Sequence, residues 1–209
     1  AWLVTSFSFP GVDLLRWALL LPLAVPSYLM AYAMTDLFQF SGPVQTWLRD
    51  SMSWGRDDYW FPQVRSLGGA IFILTFCLYP YVYLAASNGF LGLSASVVEA
   101  SRTLGAGPWA RFSRVILPLA RPAIFAGVAL VAMETMAEFG AVDYCAVDTF
   151  ATGIYRTWMG RQDLIAAAQL STCLLGAVGL LYVLESWSRR SAKFHHATQR
   201  TQRVAPVPL

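Results

Sequence analysis

Four stretches of this 209-residue sequence are long and apolar enough to cross a lipid bilayer as helices. A helix needs about 20 apolar residues to span the hydrocarbon core. The four stretches are Trp17–Met34, Leu67–Ser87, Pro122–Phe139 and Leu164–Leu184. Charged residues make up only 13% of the chain, whereas they make up about 25% of soluble domains. The sequence therefore predicts an all-α integral membrane protein, a polytopic helical bundle with about four transmembrane helices.

Positively charged residues are spread unevenly over the segments that join these stretches. Arginine and lysine accumulate in cytoplasmic segments of membrane proteins. The segment after the second stretch and the tail after Trp187 are the richest, with Arg102, Arg111, Arg114, Arg121, Arg189, Arg190, Lys193, Arg200 and Arg203. We therefore expect both ends of the chain to lie in the cytoplasm, and the loops 38–66 and 140–163 to face the exterior.

The polar stretch at 94–118, between the second and third apolar stretches, has the most specific local signals. Ser96 and Glu99 have the spacing of a capping box, which begins a helix. Gly105 suits the left-handed end of that helix, and Pro108 suits the first position of the next one. The second helix places an apolar row on one side, formed by Trp109, Phe112 and Ile116. This pattern predicts a short amphipathic hairpin of two helices, with Pro118 and Pro122 marking the passage into the third stretch.

This stretch resembles the EAA loop of ABC importer permeases. The matching residues are Glu99-Ala100-Ser101, Gly105, Phe112, Ile116-Leu117-Pro118 and Pro122. In that family the loop is a cytoplasmic coupling helix, which docks in a cleft of the ATP-hydrolysing subunit and transmits its closure to the membrane helices. Ser101 departs from the commonest Glu-Ala-Ala form, but serine is also small. The resemblance implies a coupling surface made by Glu99, Ala100, Ser101, Gly105, Ala106, Gly107, Trp109 and Phe112.

Further stretches are similar to the amino-terminal half of ferric-iron importer permeases, at 21–28, 41–45, 78–83 and 149–158. The resemblance implies a permease of the type I ABC importer fold in a bacterial inner membrane, taking up ferric iron. It implies a dimeric ABC ATPase that binds ATP and Mg²⁺, a periplasmic substrate-binding protein and a second permease half as partners, and no nucleic acid.

The same resemblance implies that residues 1–190 are a permease domain without one or two preceding spans. Residues 191–209 would then be a polar cytoplasmic linker towards a second permease half. The sequence has no G-x-x-x-x-G-K-[ST] phosphate loop, and its three cysteines do not have metal-ligand spacing. We therefore expect no catalytic residue, metal or cofactor in this chain.

Two acidic residues, Glu134 and Glu138, stand inside the third apolar stretch. Four residues apart, they share one face of a predicted helix, and acids inside a membrane are costly unless they face the bundle interior or water. We expect them to line the translocation path. A plainer interpretation is that both only bond to neighbouring helices. Candidates for the outer gate or the docking surface of the binding protein are Asp143, Tyr144, Tyr155, Arg156 and Trp158.

Two alternatives stay open on the sequence alone. One is an importer of the same architecture for polyamine, sulfate, molybdate or thiamine, because the coupling loop would be the same. The other is an ion-coupled carrier or an intramembrane enzyme that uses Glu134 and Glu138 for proton transfer.

Overall fold

The structure is a computed structural model that describes residues 1–93, 97, 99, 101, 103, 105, 107–193, 207 and 208. For 188–193, 207 and 208 only the backbone is considered. The first helices in the chain are α1 (Trp2–Ser6), α2 (Val12–Ala18), a 3₁₀ turn at Leu21–Ala24, α3 (Ser27–Phe38) and α4 (Pro43–Met52). The later ones are α5 (Leu67–Leu91), α6 (Pro108–Ala137), α7 (Gly140–Tyr144), α8 (Phe150–Tyr155) and α9 (Leu164–Lys193). Strand β1 (Phe7–Ser8) pairs in parallel with β2 (Val207–Pro208).

Among the described residues, three helices are long and apolar enough to span a membrane: α5, α6 and α9 as far as Trp187. A fourth span exists only if Val12–Ala24 and Ser27–Met52 count together as one broken span. The helical membrane fold is therefore confirmed, with three or four candidate spans. The prediction of one continuous helix over Trp17–Met34 is wrong. Pro22 lies in the 3₁₀ turn and Pro26 has an extended backbone before α3, and proline has no amide to continue a helix.

The other three predicted spans are confirmed, with different ends. Helix α5 continues to Leu91 and keeps Pro80 inside it. Helix α6 begins at Pro108 rather than at Pro122, and it ends at Ala137. Helix α9 continues to Lys193, so the first three residues of the predicted linker are helical; residues 194–206 and 209 lie outside the described part.

The chain divides into two compact units, Ala1–Leu21 with Tyr79–Met133 and Val178–Leu209, and Pro22–Leu78 with Glu134–Ala177. In the second unit, one apolar core joins α3, the first half of α5 and α7. Its buried residues are Ala31, Ala70, Ile73, Leu74, Cys77, Ala141, Val142 and Cys145. Most are small, which lets the short helix α7 lie close against the longer ones.

In the first unit, α5 and α6 approach each other through small residues. A Cβ atom added to Gly127 of α6 would lie 2.8 Å from the Cβ of Ala85 and 2.9 Å from the Cα of Val82. A Cβ added to Gly89 of α5 would lie 2.7 Å from the Cβ of Ala123. Lipid tails are as apolar as leucine, so the hydrophobic effect does not drive helices together within a membrane. Close backbone packing of this kind is therefore a main source of helix association there.

Candidate functional site

The candidate coupling segment, residues 99–116, begins in a helix. Glu99, Ser101 and Thr103 are helical, with Glu99 exposed and Ser101 buried. Gly105 has φ of +74°, the left-handed conformation that was predicted to end this helix. Ser96 of the predicted capping box, and Ala100 and Ala106 of the predicted surface, lie outside the described residues.

Gly107 and Pro108 begin the next helix, as predicted, with Gly107 at the N-cap and Pro108 in the first turn. The prediction of a separate second small helix is wrong. Residues Pro108–Arg111 are α-helical, Phe112–Ile116 form a π-helical turn, and Leu117–Ala137 continue as α-helix. Pro118 and Pro122 do not interrupt α6, and the π turn ends two residues before Pro118. From Pro108 onward, the segment is therefore the first part of the span itself.

The two aromatic residues of the segment have different surroundings. Trp109 has 75% of its surface exposed, whereas Phe112 is half-buried and its ring lies 4.6 Å from that of Trp2. Ile116, on the same side of the helix, is buried. Sequence reasoning did not predict the Trp2 contact, since nothing in the sequence links residues so far apart. Trp109 is thus the aromatic side chain that a docking partner would meet first.

Gly105 and Gly107 lie in open space. A Cβ added to either would have no atom within 4 Å in the described structure. The positive φ at residue 105 is by itself a sufficient reason for glycine at this position, because glycine adopts it without steric cost. Gly107 has φ of −61° and ψ of 161°, which other residues adopt easily, so neither backbone nor internal packing requires glycine there.

The two acidic residues do not both lie within one helix, so the prediction that places them on one helix is wrong. Helix α6 ends at Ala137, which leaves Glu138 in the connection to α7, while Glu134 is exposed on the last turns of α6. Glu138 Oε1 accepts a hydrogen bond from the Ser27 hydroxyl at 2.8 Å and another from the Ala141 amide at 2.9 Å. The carboxylate of Glu138 therefore ties the start of α3 to the start of α7, in line with the plainer interpretation.

Replacing Glu138 with alanine is expected to lower the free energy of unfolding by about 1–2 kcal/mol, because two charge-assisted hydrogen bonds are lost. Glutamine keeps an acceptor oxygen, so Glu138→Gln should retain most of the stability. Thermal unfolding of the two variants, with Glu134→Ala as the control, checks this. A Glu138→Gln variant that is as stable as wild type but inactive in transport would contradict a purely structural role and favour a role for the charge.

Arg156, one of the predicted gate or docking residues, lies near two aspartates. Its guanidinium lies 3.9 Å from Asp143 and forms a second ion pair with Asp148. All three side chains are largely exposed, so these ion pairs stabilise the fold little. Tyr155 packs its ring on Phe139 at 4.8 Å. Trp158, half-exposed, lies in the π turn that follows α8.

Tyr144, which follows Asp143 in α7, contacts two residues from other segments. Its ring lies edge-on to Tyr32 at 6.0 Å, and its carbonyl accepts a hydrogen bond from Arg65 at 3.1 Å. A cavity of about 420 Å³ opens beside it. Asp143, Tyr28 and Tyr32 are among the residues that line the cavity. The structure thus brings Asp143, Tyr144 and Arg156 together and adds Tyr32 and Arg65, which sequence reasoning missed because they come from other segments.

Comparison with known proteins identifies the family. The sequence profile described as "Binding-protein-dependent transport system inner membrane component" matches residues 1–187. The chain belongs to this family. The family consists of transport components rather than enzymes, so the alternative of an intramembrane enzyme is wrong, and the class predicted from the EAA-like stretch is confirmed.

Several curated proteins that this chain is similar to are transport permeases. The chain is 32% identical over 151 residues to the sulfate transport system permease protein CysT of Escherichia coli (strain K12), covering 70% of this chain and 50% of the relative. It is 27% identical over 197 residues to the Fe(3+)-transport system permease protein FbpB 2 of Haemophilus influenzae, covering 94% and 34%. It is 32% identical over 143 residues to the molybdenum transport system permease protein ModB of Escherichia coli (strain K12), covering 68% and 58%. The chain spans between 34% and 58% of the length of these curated relatives.

Proposed function

We propose that this chain is a membrane-spanning permease of an ABC importer, and that its residues 99–116 dock on a separate ATP-hydrolysing subunit. The observation that carries the proposal is the position of Trp109. This exposed aromatic side chain lies at the start of a helix that continues without interruption into a candidate span. Exposed tryptophans that fill a partner's pocket are among the strongest anchors of protein interfaces.

The unbroken helix gives the docking surface a mechanical connection to the pathway. Helix α6 has 30 residues, or about 45 Å at 1.5 Å per residue. A displacement applied to Trp109 would be carried along this helix, since packed helices move as rigid elements with discrete arrangements. When the ATPase closes around ATP, the translocation pathway would change from inward-facing to outward-facing. Hydrolysis of ATP would return it to the inward-facing state.

The remaining partners follow from the same proposal. The coupling segment and both ends of the chain would lie in the cytoplasm, where a dimeric ATPase binds ATP and Mg²⁺. The cluster around Arg156 would face the periplasm and receive the substrate-binding protein. Its exposed and oppositely charged side chains suit a reversible contact that changes with ionic strength. A second permease half would complete the pathway.

For the substrate we propose ferric iron. The support is the alignment with the Fe(3+)-transport relative, which covers 94% of this chain, together with the matching stretches at 78–83 and 149–158. The second candidate is an oxyanion such as sulfate or molybdate. It is favoured by the higher identity, 32%, to the sulfate and molybdenum permeases over a shorter alignment.

Uptake by the reconstituted complex tests the proposal. The full-length permease, its ATPase and its binding protein would be placed in liposomes and supplied with radiolabelled ferric iron, sulfate or molybdate. ATP-dependent accumulation of iron alone supports both parts of the proposal. Accumulation of sulfate or molybdate instead of iron would contradict the proposed substrate but support the proposed function as an ABC importer permease. Accumulation without the ATPase or without ATP would contradict that function.

A further inference from the structure

A second cavity, of about 410 Å³, lies in the second unit between the end of α3 and the loop that follows α4. We propose that this cavity, the arginine pocket, binds the phosphate or sulfate group of an anionic ligand. The lining residues that carry this inference are Thr35, Gln45, Arg56, Asp57, Tyr59 and Arg65. The inference does not depend on the proposed transport function, because it rests on the local charge and hydrogen bonding of this segment.

The arginines of this segment lack carboxylate partners. Arg49, Arg56 and Arg65 form no ion pair within the described part of the chain, although three aspartates occur between Arg49 and Tyr59. The guanidinium carbons of Arg49 and Arg56 lie 4.2 Å and 5.2 Å from the centre of the same ring, that of Phe40. Of the three, Arg56 and Arg65 line the pocket. No carboxylate offsets the charge of either one by an ion pair in the described residues, and arginine is the side chain best shaped to bind phosphate or sulfate oxygens.

The wall of the pocket contains an unused hydrogen-bonding group. Thr35 is 7% exposed, and its hydroxyl has no partner in the residues that the structure describes. Buried hydroxyls nearly always have a partner, so this one is available to an oxygen of a ligand. Beside it, the buried Gln45 is held rigidly: its amide donates to the Phe38 carbonyl at 2.7 Å and accepts from the Tyr59 hydroxyl at 2.7 Å. Arg49 in turn donates to that hydroxyl at 2.9 Å.

The surroundings of the pocket suggest the source of the anion. Trp47 and Trp60, on the same segment, are 70% and 85% exposed. Tryptophan is enriched at the membrane interface, at the depth of the lipid headgroups. A headgroup phosphate would meet the arginine pocket at that depth, and a free tetrahedral oxyanion has the same chemistry. The one carboxylate in the lining, Asp57, opposes either ligand.

The test uses the full-length protein and two probes. Retention of phosphatidylglycerol is measured by native mass spectrometry, and binding of inorganic phosphate and sulfate is measured by calorimetry in maltoside detergent, which contains no phosphate. The double variant Arg56→Gln/Arg65→Gln should bind at least about tenfold more weakly. Asp57→Asn should bind several-fold more tightly. Arg161→Gln, which removes one exposed arginine from the other loop, should bind like wild type.

Binding of the lipid alone identifies a headgroup as the source, and binding of the inorganic anions alone identifies a free oxyanion; both support the pocket. The proposal is overturned if neither probe binds the wild type, or if the double variant has the wild-type melting temperature and the wild-type affinity. If the double variant fails to fold, Asp57→Asn decides the question, because unchanged affinity in that variant contradicts an anion beside Asp57.

Discussion

Replacing Gly127 with leucine is expected to abolish the folded state or to lower its melting temperature by roughly 5–10 °C. The new Cβ atom alone would lie 2.8 Å from Ala85 and 2.9 Å from the backbone of Val82, and neither can rotate away as a long side chain does. Overpacking of this kind costs about 3 kcal/mol, which in a chain of this size corresponds to several degrees. Thermal unfolding in detergent, followed by the loss of monodisperse protein, measures the change.

Gly179 gives the matched control for this prediction. It also lies in a candidate span, α9, but a Cβ added there would have no atom within 4 Å in the described structure. Gly179→Leu should therefore unfold within about 2 °C of the wild type, as surface substitutions usually do. Equal melting temperatures for Gly127→Leu and Gly179→Leu would refute the close approach of α5 and α6.

Replacing Trp109 with alanine is expected to weaken the association with the ATPase about 30-fold and to reduce ATP-driven uptake accordingly. Truncating a central aromatic anchor costs about 2 kcal/mol or more of binding free energy. Because Trp109 is 75% exposed, the fold should lose less than about 0.5 kcal/mol. Trp47→Ala, which removes a tryptophan with 70% exposure from another segment, is the control and should bind the ATPase normally.

A pair of substitutions at Gly107 tests the same docking surface independently. Alanine and leucine both suit its backbone conformation, and both would enter space that is open in the described chain. If the ATPase approaches closely here, Gly107→Leu should block association while Gly107→Ala should not. Gly105 is a poorer probe, because any side chain there strains a left-handed backbone by about 1 kcal/mol or more. Normal association of both Gly107 variants would mean that the partner docks elsewhere.

Local signals in the sequence predicted the coupling segment well and its continuation poorly. The left-handed Gly105 and the start of a helix at Pro108 depend on nearest-neighbour chemistry, which a sequence displays directly. The fusion of this helix with the third span was missed because Pro118 and Pro122 were taken as boundaries. In a bundle, neighbouring groups and a π turn can accommodate the missing amides, and the sequence gives no sign of them.

The acidic pair and the arginine pocket are features that the sequence alone does not predict, for a different reason. The spacing of Glu134 and Glu138 predicts a shared face only while the helix lasts, and α6 ends one residue before Glu138. In the segment 38–66, the three arginines lie on the rings of Phe40 and Tyr144. Glu138 contacts Ser27 and Arg65 contacts Tyr144, and composition and spacing do not show such contacts between distant parts of the chain.

The most direct test of the account is the position of residue 109 relative to the membrane and to the ATPase. A Trp109→Cys, Cys173→Ser variant offers one accessible thiol, because Cys77 and Cys145 are buried. Burial also raises the pKa of the Cys145 thiol, against a smaller opposite effect of Arg65, which slows its reaction with maleimides at neutral pH. A membrane-impermeant maleimide is then added to intact cells and to inside-out vesicles, with and without the ATPase. We predict labelling only in inside-out vesicles, and protection by the ATPase once it is supplied at about 30 times the concentration that the wild type needs, because this variant lacks the Trp109 side chain. Labelling of residue 109 in intact cells would contradict the coupling role, because no cytoplasmic motor reaches the outer face of the membrane.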